Sequence, residues 1–103
     1  MSATISGNVG GSSFSGVVVC LYGQASTGPV QTTATSDSSG NYSFTPAAGN
    51  YIVTALSTTV SSQKYNYLSA HNVSVQLSDV TNSTTFTVNF APTAANAANA
   101  PTF

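Results

Sequence analysis

Apolar and polar residues alternate along most of this chain, in short runs separated by turn-forming residues. From Thr4 to Val9 the alternation puts Ile5, Gly7 and Val9 on one face, which predicts a strand followed by a loop at Gly10–Ser13. Gly16–Tyr22, GVVVCLY, is the most apolar stretch; its β-branched content and short length predict a strand rather than a helix. Gly23–Pro29 reads as a loop, and Val30–Thr35, polar on both faces, as an edge strand. Two runs, Tyr42–Phe44 and Tyr51–Ala55, each lie behind a glycine in a cluster of turn residues. They predict two strands with Tyr42, Phe44, Tyr51, Val53 and Ala55 inward. Asp37 is suited to closing the first turn by accepting backbone N–H groups, and Gly40 to supplying a positive φ.

A long polar connection follows from Ser57 to His71, a length that implies either a function or structure of its own. Asn72–Leu77 places Val73, Val75 and Leu77 on one face, and Thr84–Phe90 places Phe86, Val88 and Phe90 on one face. Both read as half-buried antiparallel strands joined by a turn at Asp79–Ser83. After Ala91 the chain becomes PTAANAANAPTF, so residues 1–91 are read as one domain and residues 92–103 as a linker or disordered tail. Seven short strands without a long amphipathic helix predict an all-β, two-sheet antiparallel sandwich of Greek-key type, with an open barrel as the alternative.

The residues Thr35, Asp37, Gly40, Tyr42, Phe44, Pro46, Gly49, Tyr51 and Val53, together with the Gly-Val-x-Val-x-Leu pattern at Gly16–Leu21, resemble a carboxypeptidase regulatory-like domain. This is the prealbumin-like seven-strand β-sandwich, whose relatives include the B-type (Cna-B-like) repeats of bacterial surface adhesins. The resemblance covers about residues 4–91. It implies that Val17, Val19 and Leu21 face the core, leaving Val18, Cys20 and Tyr22 on the outer face. It also implies an accessory or spacer role. Some relatives form a crosslink between a Lys and an Asn or Asp beside a buried acid. Here Asn89 stands roughly where the partner would be, but Lys64 falls in the long connection and the chain has no Glu, so the crosslink does not carry over.

Composition narrows the partners. Of 103 residues only Lys64, Asp37 and Asp79 carry charge, while 17 Ser, 15 Thr and 9 Asn supply the polarity. Soluble proteins average about a quarter charged. Without clustered Lys or Arg there is nothing to neutralise phosphates, so nucleic acid and anionic lipid are not expected partners. The longest apolar run, Val17–Tyr22, is far below the ~18 residues a membrane-spanning helix needs, so no membrane insertion is expected. The first residues lack the pattern of a secretory signal. The Ser/Thr/Asn-rich composition nevertheless suits an extracellular or cell-surface protein, so the chain is read as an excised or processed part of a longer exported one. Three glycosylation sequons, at Asn41, Asn72 and Asn82, are no more than such a composition produces by chance.

Candidate chemistry is sparse. Asp37 and Asp79 sit in predicted turns, His71 has no neighbouring His or Glu with which to bind metal, and Cys20 lies mid-strand without a disulfide partner in the chain. No catalytic residues, no metal and no cofactor are therefore assigned, and calcium is not expected without a carboxylate cluster. Cys20 reads as a small covered hydrophobe, with an exposed dimerising thiol as the alternative.

Three functions remain in view. The first is a non-catalytic structural, spacer or adhesion module whose partners are neighbouring domains of the same longer chain. The second is a carbohydrate-binding accessory module in which Tyr65 and Tyr67, helped by Gln63 and Asn66, present two rings from the long connection; the chain has no Trp, and the resemblance implies that an aromatic near this place packs on the sandwich edge, so packing is preferred to a ligand platform for these rings. The third is self-association, or docking of a protein partner, through an outer face made of Val18, Cys20, Tyr22, Ile52 and Leu56.

Overall fold

The computed structural model of the protein describes residues 1–95. Among these the chain is all-β apart from one short helix, and its strands form three sheets. The first sheet has the order β4-β1-β9, with β1 at Thr4–Asn8, β4 at Asn41–Phe44 and β9 at Thr85–Thr87. The second has the order β3-β2-β5-β8, with β2 at Val18–Ala25, β3 at Gly28–Thr35, β5 at Gly49–Ala55 and β8 at His71–Val75. A small third sheet, β10-β7-β6, comprises β6 at Thr58–Val60, β7 at Gln63–Asn66 and β10 at Thr93–Ala94.

The two larger sheets bury one face each into a common core. Ile5, Tyr42, Phe44, Val88 and Phe90 come from one side; Val19, Leu21, Tyr51, Val53, Val73 and Val75 come from the other. The period-2 alternation explains this directly: in β4 and β5 the predicted inward residues are buried while Asn41, Ser43, Asn50 and Ile52 face out. Val17, Val19 and Leu21 are buried as expected, and β3 lies at a sheet edge with no buried residue.

The Asp37 turn forms as read. Asp37 Oδ1 accepts the backbone N–H groups of Ser39 and Asn41, both at 2.9 Å, and Gly40 has φ +83°. Just before it, the buried Ser36 hydroxyl accepts the Val17 N–H at 2.8 Å and donates to the Phe14 carbonyl at 2.6 Å, tying the loop ahead of β2 to the end of β3.

Three expectations are corrected. The loop foreseen at Gly23–Pro29 shrinks to a tight turn at Ser26–Thr27, because Gly23 is a strand residue. A Cβ there would lie 2.1 Å from the Asn50 carbonyl oxygen and 2.8 Å from the Tyr51 ring, so this glycine permits close approach and breaks nothing. Leu77, expected in the core, is 73% exposed: β8 ends at Val75 and a helix, α1, runs from Leu77 to Thr81. The Asp79 carboxylate accepts the Gln76 backbone N–H at 2.8 Å, so the expected turn winds into that helix and carries Leu77 outward. The strand read over Thr84–Phe90 is parallel, not antiparallel: α1 delivers the chain to the opposite sheet, where β9 runs alongside β1 in the same direction.

The long connection has structure of its own, a β6–β7 hairpin whose two turn residues, Ser61 and Ser62, both take positive φ (51° and 66°). Within the stretch expected as a linker or disordered end, Thr93 and Ala94 pair with Asn66 and Tyr65, and 96–103 lie outside the described residues.

At Gly7, β1 and the chain continuing β9 come very close together. In a parallel ladder the Asn8 N–H would bond to the Val88 carbonyl. That carbonyl instead accepts the Tyr42 hydroxyl, and Asn8 N–H bonds to Asn89 Oδ1 at 3.0 Å. A Cβ at Gly7 would sit 1.7 Å from the Val88 oxygen. Gly7→Ala is therefore expected to cost about 3 kcal/mol or more in chemical denaturation, by forcing β9 away from β1; an unchanged midpoint would contradict the close approach. At the β6–β7 turn the opposite sign is expected. Two serines in the left-handed region each carry a penalty of roughly 1–2 kcal/mol that Asn-Gly largely avoids. The double substitution Ser61→Asn, Ser62→Gly should therefore raise the denaturation midpoint.

Candidate functional site

Three places hold the residues with the most to offer a ligand or partner. The first is the β6–β7 hairpin. Tyr65 packs edge-on against Phe14, centroids 5.1 Å apart, and Tyr67 packs edge-on against Phe90 at 6.1 Å. The Tyr67 hydroxyl donates to the Val9 carbonyl. Asn66 is buried and pairs with Thr93 of β10. Only Gln63 of the four projects into solvent, and its amide donates to the adjacent Lys64 carbonyl at 2.8 Å. The two rings thus point inward and cover the core's edge, rather than standing out as a stacking platform. His71 belongs to the same margin: its ring meets Phe90 edge-on at 5.0 Å and its Nε2 lies 3.2 Å from the Ser69 hydroxyl.

The second place is the outer face of the four-stranded sheet. The register aligns Gln31, Tyr22, Ile52 and Asn72 in one row across four strands. Cys20 lies one row along, between Thr33 and Thr54. Leu56 is tied to Val18 by its backbone N–H, 2.9 Å from the Val18 carbonyl. The face therefore brings together Val18, Cys20, Tyr22, Ile52 and Leu56, with threonines and amides between them. Tyr22, Ile52 and Leu56 are 37%, 44% and 50% exposed, whereas Cys20 is only 4% exposed. A thiol so covered is a packing group, and the exposed dimerising thiol is not what forms. Beside it, the Cys20 side chain raises the Tyr22 hydroxyl pKa, through a hydrogen bond first and charge second. Tyr22, Gly23, Asn50, Ile52, Asn72 and Ser74 outline a shallow depression of about 460 Å³ on this face.

The third place is one that sequence reasoning passed over. On the outer face of the three-stranded sheet, Asn41, Asn8 and Asn89 stand side by side on β4, β1 and the continuation of β9. Asn8 uses every polar atom it has. Its side-chain amide donates to the Ser39 carbonyl at 2.9 Å and to Asn41 Oδ1 at 2.8 Å, and its Oδ1 accepts the Gly10 and Gly11 N–H groups. Its backbone N–H meets Asn89, and its carbonyl accepts the Phe90 N–H at 2.9 Å. The run Asn8-Val9-Gly10-Gly11 carried the signal, an asparagine two residues before paired glycines, which is the pattern of a side-chain-closed turn. With Ser6, Asp37 and Thr87 these asparagines line an open cleft of about 690 Å³. Backbone N–H bonds from Asn41 and then Ser39 hold the Asp37 carboxyl below its usual pKa.

Among the described residues no buried side-chain N or O atom lacks a hydrogen-bond partner, and no group of three His, Cys, Asp or Glu side chains converges as a metal site. A scan against protein-family models and a search of curated proteins return no match for this chain.

Two tyrosines offer a direct check on this packing. Burial pushes Tyr42 and Tyr67 up to about 12. The neutral phenol is the folded form, so the stability these groups contribute is complete below the ordinary tyrosine value near 10 and is lost as pH rises through about 12. Their phenolate absorbance is expected to appear only near the upper end of that window, together with loss of the β circular dichroism signal. Ionisation of all five tyrosines around pH 10 in a folded protein would show that the two rings are not packed as described.

Proposed function

We propose that this chain is a non-catalytic structural module, a spacer or adhesion element of an exported or cell-surface protein, whose partners are neighbouring domains of the same longer polypeptide. The observation that carries the reading is how the carboxylates are engaged. Asp37 closes the turn before β4 and Asp79 starts α1, each by accepting backbone N–H groups, so both acids maintain the fold. The nearly uncharged, hydroxyl- and amide-rich surface supports the same reading, since it suits a module that must not attract ions or polyelectrolytes.

The architecture belongs to this proposal as a seven-strand Greek-key sandwich of the prealbumin-like, Cna-B-like kind. Its support is that β1, β2, β3, β4, β5, β8 and β9 make up the two large sheets, with the β6–β7 hairpin and β10 added at the margin. The chain also crosses between those sheets after β1, β3, β4 and β8. Fold alone does not fix function in such sandwiches.

A second reading, self-association or docking of another protein domain through the outer face, is favoured by the exposure of Tyr22, Ile52 and Leu56 on one sheet surface. The carbohydrate-binding alternative at Tyr65 and Tyr67 has less support, because both rings are engaged by Phe14 and Phe90.

The test is the native context. Mass spectrometry of the full-length polypeptide, combined with protease shaving of intact cells, is expected to find this segment joined to further domains and released from the cell surface. A free 103-residue polypeptide confined to the cell interior would overturn the proposal.

A further inference from the structure

We infer that the module carries tensile force, with β1 acting as a shear clamp held between β4 and β9. β1 and β9 are parallel, and they are the first strand and the last strand of the two large sheets. Tension that enters at the start of β1 and leaves at the end of β9 pulls two parallel neighbours in opposite directions along their own axes. Every hydrogen bond between them is then loaded at once, where a hairpin pulled from its open end breaks its bonds one after another.

Besides the ladder bonds of the pairing between Thr4–Ser6 and Thr85–Thr87, the load is shared by Thr4 N–H to the Thr84 carbonyl at 2.9 Å, Val88 N–H to the Ser6 carbonyl at 2.8 Å, Phe90 N–H to the Asn8 carbonyl at 2.9 Å, and Asn8 N–H to Asn89 Oδ1 at 3.0 Å. Because β1 is the central strand of its sheet, sliding it also shears the antiparallel ladder to β4, where Ile5–Asn8 pair with Phe44–Asn41. It further withdraws Ile5 and Val9, both fully buried, from the core. Asn8 anchors the trailing end of β1, the end opposite the pull. Its amide is bound to Ser39 and Asn41 of the neighbouring turn, and the next residue, Val9, donates its N–H to the Gly40 carbonyl at 2.9 Å. By contrast β10 is held to β7 by two residue pairs, so it adds little to the resistance. The biological use of such a clamp rests on the spacer reading; the mechanical property does not.

Forced unfolding reports the barrier to opening rather than equilibrium stability, so the experiment compares two pulling directions in one protein. In a Cys20→Ala background, handles are attached through Ser2→Cys and Ala91→Cys, which load β1 against β9 in shear. A second version uses Ser2→Cys and Asn82→Cys, which pull at the two adjacent starting ends and peel the strands apart. The expected result is a rupture force several-fold higher in the first geometry. Asn89→Ala, which removes the side-chain acceptor of Asn8, is expected to lower the shear force and leave the peeling force nearly unchanged. Equal forces in the two geometries would overturn the clamp. A strong clamp in a polypeptide without flanking domains would leave the clamp standing and remove the spacer reading, so the two failures are separable.

Discussion

Where β1 passes β9, the two backbones come so close at Gly7 that no side chain fits between the Gly7 Cα and the Val88 carbonyl. Much of the molecule follows from that approach. It frees the Val88 carbonyl to accept the Tyr42 hydroxyl from the other side of β1, which ties β4 to the continuation of β9 across β1. It leaves the Asn8 N–H without its regular acceptor, and Asn89 supplies one from its side chain. The parallel pairing of the first and last strands of the large sheets, on which the mechanical reading depends, is thus secured by one missing side chain and two amides.

Amides and hydroxyls do elsewhere what charge does in most domains. Ser36 is buried with both a donor and an acceptor on it, and Asn8 has no idle polar atom. Neutral hydrogen bonds avoid the desolvation cost of ionic pairs and are insensitive to salt, so a fold assembled this way keeps its integrity across ionic conditions. That property fits a proposed module outside the cell, and it explains how a chain with three charged side chains satisfies its buried polar groups.

The long connection shows how far local reading reaches. Its tyrosines at i and i+2 have the spacing of a binding platform and also that of a strand packing one face on a core, and the spacing by itself does not separate the two. The tertiary structure separates them by supplying Phe14 to Tyr65 and Phe90 to Tyr67, partners that lie far off along the chain. The outer face is the reverse case. Alternation within β2 is enough to put Val18, Cys20 and Tyr22 on one side of the strand. Pairing with β5 then adds Ile52 to the row of Tyr22, and the chain beyond β5 sets Leu56 beside Val18.

What the sequence by itself determined is the local layer. Period-2 patterning assigned the inward residues of β2, β4 and β5, and the Asp37–Gly40 turn followed from residues that act on their own backbone. An edge strand was legible in the polarity of β3. The tertiary structure decided whatever depends on a distant partner. Gly23 looked like a loop and is a strand residue because Tyr51 lies over it. Leu77 continued an apolar alternation and was turned outward by the helix that begins there. The direction of β9 was invisible, since alternation is the same in parallel and antiparallel strands; only the route of the chain through α1 to the far side of β1 sets it. Periodicity records which face of a segment is buried, whereas pairing, direction and close approach are relations between segments, and those exist only once the chain is folded.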